Sequence, residues 1–370
     1  MTGILYVSAI GTTVGIDLSL LTRDDEEAVR MVWADAATDS VDEPAAIVVP
    51  RASERARMLQ SLSRQVTHAA IDARRADLWM LHAAGIATPA GDVVAFVGPS
   101  GRGKTTASRH LGRHYGYVSD ETIGIARDGQ VLAHRKPLSI IEEPRAPKVE
   151  RRPSSLGLGT IPRDLRVRAV VLLHRRPDHE GAPTVTPIDL ADALGDLVGQ
   201  SSHLVERPDS LRFIAAIAQA TGGIRAVHYR EASDLPSIVP ELLAGPASTP
   251  VIAPPITREP APVGDNTDQP RFLRTAAVDE IELVAPDRVA VLTRDAGGRG
   301  TVHVLDGIAP TLWAAASGVP FDALVAASTA AHGVPVGADA AELVRASLDH
   351  LIAAGLLLVR PDDSPSAAVL

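Results

Sequence analysis

Residues 92–112 read DVVAFVGPSGRGKTTASRHLG: an apolar run, a glycine-rich turn and a helical pattern in succession. The turn from Gly98 to Thr105 fits G-x-x-x-x-G-K-[ST], and a strand before it with a helix after it is the context that this pattern requires. In such a loop, backbone N–H groups and the helix N-terminus face a phosphate. The stretch therefore predicts a phosphate loop inside an α/β fold.

The same loop predicts the residues that hold a nucleotide. Lys104 reaches the β- and γ-phosphate oxygens, and the Thr105 hydroxyl is a ligand of Mg²⁺. Only three of the 36 basic residues are lysine, so a lysine at this position is informative. A glycine-rich turn without a ligand, or one that binds nucleotide without chemistry, is the alternative. The predicted cofactors are ATP and Mg²⁺, and the predicted nucleotide-binding residues are Gly98, Ser100, Gly101, Arg102, Gly103, Lys104, Thr105, Thr106 and Lys136.

Two neighbouring carboxylates supply the acidic partner of the loop. The buried run at 169–173 ends in His174, so no acid follows the strand where most phosphate-loop proteins carry one. Asp120 and Glu121 instead follow Lys104 by 16 and 17 residues. Such a pair suits one metal ligand and one general base for a hydroxyl nucleophile, the alternative being a solvated hairpin end.

Apolar strands alternate with helical stretches across the N-terminal two thirds of the chain, which favours an α/β fold. Residues 116–134 add an antiparallel hairpin, because an Asp-Gly pair separates two apolar runs. A mixed sheet is therefore predicted. The predicted strands are 4–10, 92–97 and 168–174, and the predicted helices are 51–76, one that begins near residue 104, 190–198 and 208–221.

A Pro-rich segment divides the chain. Residues 245–270 contain seven prolines and no aromatic residue, which is typical of an extended spacer. The predicted domains are 1–245 and 271–362, joined by a linker over 246–270. In the smaller domain, strands over 280–284, 289–293 and 301–305 precede helices over 308–316, 320–332 and 338–354, the order of a winged helix-turn-helix.

Composition excludes several classes of function. The chain has no cysteine, so it has no disulfide framework and no thiolate zinc site. Its formal charge is −9, which disfavours nucleic acid and anionic membranes as partners. No signal peptide or apolar run long enough to span a bilayer is seen. We expect a soluble, cytoplasmic protein.

Four segments resemble the HPr kinase/phosphorylase-like serine kinases, whose nucleotide fold is of the phosphoenolpyruvate carboxykinase type. They are LHAAG at 81–85, the phosphate loop, GYVSDE at 116–121 and KPLS at 136–139. The resemblance covers about residues 70–245 and implies ATP-dependent phosphorylation of a serine or another hydroxyl. It implies a catalytic centre of Lys104, His82 on the strand before the loop, and Asp120 as the base.

One position departs from that family. Glu121 stands where the family has a second aspartate, and a longer carboxylate still reaches a metal through water. We therefore assign Mg²⁺ to Thr105 and Glu121. His82 as a packed strand histidine, and Lys136 as a solvated lysine, are the alternatives. Arg145, Lys148, Arg151 and Arg152 form a basic run that either closes over substrate or is an exposed charge cluster.

The C-terminal pattern resembles the PqqD-like peptide-recognition fold, over about residues 275–358. In that family a leader peptide adds as a strand to a sheet edge backed by the last helix. Residues 271–370 carry 7 basic and 12 acidic residues, a balance of −5, which disfavours DNA. A structural or dimerisation module is the alternative. The implied peptide-binding residues are Thr301, Val302, His303, Val304, Leu305, Leu343 and Ser347.

Three hypotheses follow for function. The first is a kinase that binds a ribosomally made precursor peptide through its C-terminal domain and phosphorylates a Ser, Thr or terminal hydroxyl. The second is an adaptor that presents a leader peptide to other modifying enzymes, with the nucleotide domain as scaffold. The third is a kinase for a small hydroxyl compound. The intact loop and the Asp120–Glu121 pair favour catalysis.

Overall fold

The computed structural model of the protein describes residues 3–39, 43–51, 54–99, 103–141, 148–245, 250–253, 270–284 and 288–360. Internal contacts divide the chain into two units, Met1–Val251 (unit 1) and Ile252–Leu370 (unit 2). Among the helices that lie in these described ranges, none has the length and apolar character needed to cross a membrane.

Unit 1 contains short strands and six α-helices over its described residues. The strands are β1 (Ile4–Ala9), β2 (Thr12–Asp17), β3 (Ala46–Val48), β4 (Trp79–Leu81), β5 (Ala83–Ala87), β6 (Asp92–Val97), β7 (Gly116–Ser119), β8 (Ile123–Ile125), β9 (Val131–Leu132), β10 (Leu138–Ile140), β11 (Val149–Arg151), β12 (Arg166–Arg175), β13 (Thr184–Ile188), β14 (Ser201–Ser202) and β15 (Ile224–Tyr229). The helices are α1 (Arg23–Trp33), α2 (Arg55–Arg74), α3 (Lys104–Leu111), α4 (Leu190–Gly199), α5 (Ser210–Ala220) and α6 (Val239–Ala244).

A six-stranded sheet in the order β13-β15-β12-β6-β5-β7 carries the phosphate loop. Strand β12 runs parallel to both β6 and β15, whereas β5 is antiparallel to β6 and β7 and β13 is antiparallel to β15. The predicted mixed sheet is thus confirmed. Helices α3 and α6 cover one face of it, over a core built from Ala, Val, Leu and Ile with few aromatic residues.

The predicted elements of unit 1 are found with small shifts at their ends. The strand predicted over 4–10 stops at Ala9, because Ile10 (φ 49°) and Gly11 (φ 69°) form the turn into β2. The Asp-Gly hairpin is also found: β8 and β9 pair antiparallel, and Gly129 takes a left-handed φ of 83°. Glycine adopts such a φ without a steric clash because it has no Cβ.

Strand β15 was not predicted, although it lies in the middle of the sheet. Arg225 and His228 interrupt its apolar run, so the segment lacks the continuous hydrophobicity of a strand buried on both faces. The Arg225 guanidinium is accommodated by a hydrogen bond to the Leu242 carbonyl at 2.6 Å. The sheet β1-β2-β3 with α1 and α2 was likewise anticipated only at β1 and α2.

Unit 2 contains two three-stranded antiparallel sheets and three helices over its described residues. The elements are β16 (Arg271–Arg274), β17 (Asp279–Glu282), β18 (Val289–Arg294), β19 (Gly300–Leu305), α7 (Ala309–Ala315), β20 (Ser317–Pro320), α8 (Phe321–His332), α9 (Ala340–Ala353) and β21 (Leu357–Arg360). The sheets have the orders β17-β18-β19 and β20-β16-β21. The winged helix-turn-helix interpretation of this unit stays a prediction.

Helix α9 packs as its sequence predicts. Val344, Leu348 and Leu351 share one helical face and are all buried, and Gly355 ends the helix with a left-handed φ of 71°. The three tryptophans of the chain are each buried in a different region. Trp33 lies in the cluster of β1, β2, α1 and α2, Trp79 in β4, and Trp313 in the core of unit 2.

Candidate active site

The phosphate loop begins where β6 ends and leads into α3. Gly98 and Pro99 follow β6, and Gly103 precedes α3 with a left-handed φ of 90° that favours glycine. The N-terminus of α3 therefore opens toward the loop, where its partial positive charge attracts an anion. The predicted nucleotide contacts Ser100, Gly101 and Arg102 lie outside the described residues.

Lys104 turns back onto its own loop. Its Nζ donates to the carbonyl oxygens of Gly98 at 2.5 Å and Pro99 at 3.3 Å. Burial lowers the pKa of Lys104 to about 8, although the nearby carboxylates of Asp120 and Glu121 oppose that shift. An incoming phosphate would offer this amine negatively charged oxygens in place of two carbonyls.

Thr105 and Asp120 are in direct contact. The Thr105 hydroxyl donates to Oδ2 of Asp120 at 3.0 Å, and the Tyr117 hydroxyl donates to Oδ1 at 3.0 Å. Burial alone would raise the pKa of Asp120, but Lys136 and the two hydroxyl donors outweigh burial, and the pKa lies below its ordinary value. Asp120 is therefore a carboxylate with both oxygens already engaged.

Lys136 lies between the two acids. Its Nζ is 3.3 Å from Oδ1 of Asp120 and 3.2 Å from Oε2 of Glu121. Burial opposes the charge, but these carboxylates raise the pKa of Lys136 above its usual range. The lysine is buried rather than solvated, and its single positive charge is shared between the two carboxylates. Glu121 differs from Asp120 in that about a third of its side chain stays exposed.

His82 lines the same cavity as Lys104, Asp120 and Glu121, but it does not lie on β6, the strand that precedes the loop. It sits between β4 and β5, and its backbone N–H donates to the Gln200 carbonyl at 2.7 Å. Because Ala83 pairs with Val97, the antiparallel register brings His82 level with Gly98. Burial, and then Lys104, lower the pKa of His82, so the ring is neutral at pH 7.

One cavity of about 560 Å³ joins these groups. It brings together eight of the residues that the sequence predicted, namely His82, Gly103, Lys104, Thr105, Thr106, Asp120, Glu121 and Lys136. These eight residues therefore line one polar cleft that contains the Lys104 amine and the carboxylates of Asp120 and Glu121. Gly98 contributes the carbonyl that holds Lys104.

The sequence did not indicate several residues that line or support the cleft. Gln60, Ser63, Arg64, Arg109, Ser139, Ile140 and Ile141 also line it. Glu150 contacts two of these residues. The Ser139 hydroxyl donates to one carboxylate oxygen of Glu150, and the Ser63 hydroxyl donates to the other at 3.4 Å. Burial raises the pKa of Glu150. Of this group, only Ser139 fell in a segment that carried the family resemblance.

The described members of the predicted basic run, Lys148, Arg151 and Arg152, do not lie at one site. Lys148 is exposed and lines the cleft, and its carbonyl accepts a hydrogen bond from the Gln60 side chain at 2.6 Å. Arg151 lines a different cavity with Met31 and Leu59. Arg152 lies at the start of a 3₁₀ turn, Pro153–Leu156, and Arg145 lies outside the described residues. Of the three members that the structure describes, Lys148 is the one that lines the cleft.

The donor set of the cleft fits Mg²⁺ with a nucleotide. Mg²⁺ prefers oxygen ligands and is usually held by one or two carboxylates together with substrate phosphates. Thr105, Asp120 and Glu121 offer a hydroxyl and carboxylates of that kind. Over the described ranges, no group of three or more His, Cys, Asp or Glu side chains is arranged to hold a metal.

In unit 2 the predicted peptide-binding residues lie along β19 and α9. A cavity of about 520 Å³ is lined by five of them, His303, Val304, Leu305, Leu343 and Ser347. Thr301 and Val302 lie on the same strand but outside that lining. β19 ends the order β17-β18-β19, and within the described part of unit 2 no strand pairs with its outer edge.

The likeness to known proteins is found among solved structures and is distant in sequence. No protein-family model matches the chain, and no curated protein matches it. Among solved structures, the Hpr(Ser) kinase/phosphatase from Coxiella burnetii is similar over 44% of this chain and 93% of that chain, with 13% identity and a TM-score of 0.25.

Proposed function

We propose that the chain is an ATP-dependent kinase that transfers the γ-phosphoryl group to a hydroxyl of a ribosomally made peptide. One observation carries the proposal: the Thr105 hydroxyl meets the Asp120 carboxylate at 3.0 Å, beside a loop lysine in the same cleft. A hydroxyl and a carboxylate so paired are the protein ligands that a phosphate-loop enzyme offers to Mg²⁺. When bound, Mg²⁺ would neutralise charge on the β- and γ-phosphates.

The contacts favour a division of roles that reverses the one expected from sequence. Asp120 is buried and both of its oxygens accept hydrogen bonds, which suits a fixed metal-side carboxylate. Glu121 forms an ion pair with Lys136 and keeps part of its carboxyl exposed. Glu121 is therefore the better acceptor for the proton of an incoming hydroxyl.

The lysines and His82 complete the mechanism. Lys104 leaves the Gly98 and Pro99 carbonyls and binds β- and γ-phosphate oxygens. Lys136 pairs with both carboxylates and holds them in place. His82, neutral and level with Gly98, donates a hydrogen bond to the transferred phosphoryl group. The acceptor oxygen gains the phosphoryl group, ADP leaves, and the hydroxyl proton goes to Glu121.

The proposed partner of unit 2 is the leader part of the precursor peptide. Support comes from the resemblance of its sequence to PqqD-like domains and from the open outer edge of β19 beside the cavity that Leu343 and Ser347 line. A strand added there would gain main-chain hydrogen bonds, with alternate side chains entering the cavity. Covalent linkage of the two units would raise the effective concentration of the peptide at the kinase.

Mass spectrometry tests the proposal. The full-length protein is incubated with Mg²⁺, ATP and the peptide encoded by a short reading frame beside its gene, and a mass gain of one phosphate is expected. Lys104→Ala should abolish the gain, whereas the exposed loop variant Asp178→Asn should not. A wild-type protein that binds the peptide without phosphorylating it would favour the adaptor, and phosphorylation of free serine alone would favour a small-molecule kinase.

A further inference from the structure

A second cavity lies beside the first part of the phosphate loop. It has a volume of about 350 Å³, and its lining includes Gly98, Pro99, His174, Arg176, Asp196 and Gln200. These residues come from the carboxyl ends of β6 and β12 and from the last turn of α4. Ligands of open α/β sheets bind outside the carboxyl ends of the strands, where strand direction or order changes. This cavity occupies such a position.

The sheet order gives the direction in which a nucleotide extends. Asp120 and Glu121 follow β7, which lies on the β5 side of β6, whereas β12 and β15 lie on the other side. A triphosphate whose γ end meets Thr105 and Asp120 therefore directs its nucleoside away from β7. That direction leads over the end of β12, where the second cavity lies.

The lining suits a flat, hydrogen-bonding group. His174 stacks on His228 with ring centroids 5.1 Å apart and planes inclined by 21°. Nδ1 of His228 is buried, and no hydrogen-bond partner is found for it in the described structure. Asp196 and Gln200 lie one turn apart on the same face of α4, and they offer a carboxylate and an amide.

The cavity also contacts the proposed catalytic centre through the main chain. Gln200 lines the cavity, and its backbone carbonyl accepts a hydrogen bond from the backbone N–H of His82 at 2.7 Å. Gly98 and Pro99 line the cavity and also hold Lys104 through their carbonyls. A volume of 350 Å³ lies in the range of small-molecule sites.

We infer that this cavity is the nucleoside subsite of the proposed kinase, with Gln200 and Asp196 bonding the base and ribose of a nucleoside triphosphate. The inference rests on the proposed function, because the phosphates must occupy the loop. The heterocycle lies near His174, and the amide of Gln200 supplies both a donor and an acceptor to its edge. Asp196 accepts hydrogen bonds from ribose hydroxyls.

Inorganic tripolyphosphate separates this inference from the function on which it rests. Calorimetry measures the Kd of Mg-ATP and of Mg-tripolyphosphate with the full-length wild type, Gln200→Ala and Asp196→Asn. Asp192→Asn, an exposed acid one turn earlier on α4, is the matched control, and thermal melting verifies that each variant folds. We expect ATP to bind wild type more tightly than tripolyphosphate. Each cavity variant should weaken ATP roughly three- to tenfold and leave tripolyphosphate within twofold.

Several other binding results would overturn the inference or the kinase proposal. Equal binding of ATP and tripolyphosphate by wild type would overturn the inference, and so would ATP affinities that Gln200→Ala and Asp196→Asn leave unchanged. Equal weakening of both ligands would also overturn it, because the cavity would then act on the phosphates. Failure of wild type to bind either ligand would instead refute the kinase proposal itself, and the inference with it.

Discussion

The hydroxyl of Thr105 and the carboxylate of Asp120 are joined by a 3.0 Å hydrogen bond across the mouth of the phosphate loop. Thr105→Ala removes both this donor and a proposed metal ligand, so we expect the Mg²⁺ concentration needed for half-maximal phosphotransfer to rise about 10- to 100-fold. Thr105→Ser retains the hydroxyl and should stay near wild type. An equal loss in both variants would mean that the methyl group, rather than the hydroxyl, matters.

Substitutions of Asp120 and of Glu121 should change different kinetic quantities. Asp120→Asn should raise the Mg²⁺ requirement, because the carboxylate that contacts Thr105 loses its charge. Glu121→Gln should lower kcat by roughly 10²- to 10⁴-fold at an unchanged Mg²⁺ requirement, as expected for a lost proton acceptor. Steady-state kinetics over a Mg²⁺ titration measures both quantities. The opposite pattern would return Asp120 to the role of base and Glu121 to the metal.

Nucleotide affinity should fall in alkaline solution. The pKa of Lys104 is lowered to about 8, and the protonated amine is the form that binds phosphate. Below about pH 8 the lysine is already charged. Above that pH binding must take up a proton, so the Kd of Mg-ATP should rise by up to tenfold per pH unit. Lys104→Arg stays charged throughout and should show a flat profile, even if its affinity is lower.

Acid should destabilise the protein through His134. This ring is buried, its Nε2 lies 2.9 Å from the Thr67 hydroxyl, and burial lowers its pKa to about 3. The unfolded chain gains a proton here below about pH 6.5, the folded chain only below about 3. The free energy of unfolding therefore decreases as pH falls through that window. In urea titrations His134→Gln should flatten this dependence, and the exposed His68→Gln should not.

Leu343 offers a test of the groove on unit 2. Its side chain is 47% exposed and lines the cavity beside β19. Leu343→Asp should weaken binding of the precursor peptide to the full-length protein by roughly tenfold or more, because a charge would enter an apolar contact. Leu358→Asp changes a leucine that is 54% exposed on β21 and outside that cavity, and it should bind as wild type does. Equal effects would place the peptide elsewhere.

The sequence identified the parts of the site that are close together along the chain. Lys104, Thr105, Asp120 and Glu121 lie within 18 residues, and their motif constrains both residue types and spacing. The Ser63 and Glu150 contact joins residues 87 apart, and no local pattern links a serine on the buried face of α2 to a glutamate on β11. Contacts of that range depend on how distant elements pack, which periodicity does not report.

Secondary structure was likewise predicted where it follows from a local sequence pattern and missed where it depends on distant residues. The face of α9 that contains Val344 and Leu348 was predicted because helical periodicity is local. Strands β16 (RFLR) and β20 (SGVP) were missed because neither is a continuous apolar run, and Arg271 in β16 pairs with the distant residues Pro320 and Arg360. The proposed assignment of the metal to Asp120 likewise uses side-chain exposure and the position of Lys136, which two adjacent carboxylates do not reveal by sequence.

The distribution of the three tryptophans gives the protein built-in optical reporters. Trp33 and Trp79 belong to different parts of unit 1, and Trp313 belongs to the core of unit 2, where its indole N–H donates to Glu280 at 2.9 Å. Each is shielded from water in the folded state, so its emission should shift to longer wavelength when its own region opens. Fluorescence of Trp→Phe variants can therefore follow the opening of each region in the intact chain, without cutting the segment that joins the units.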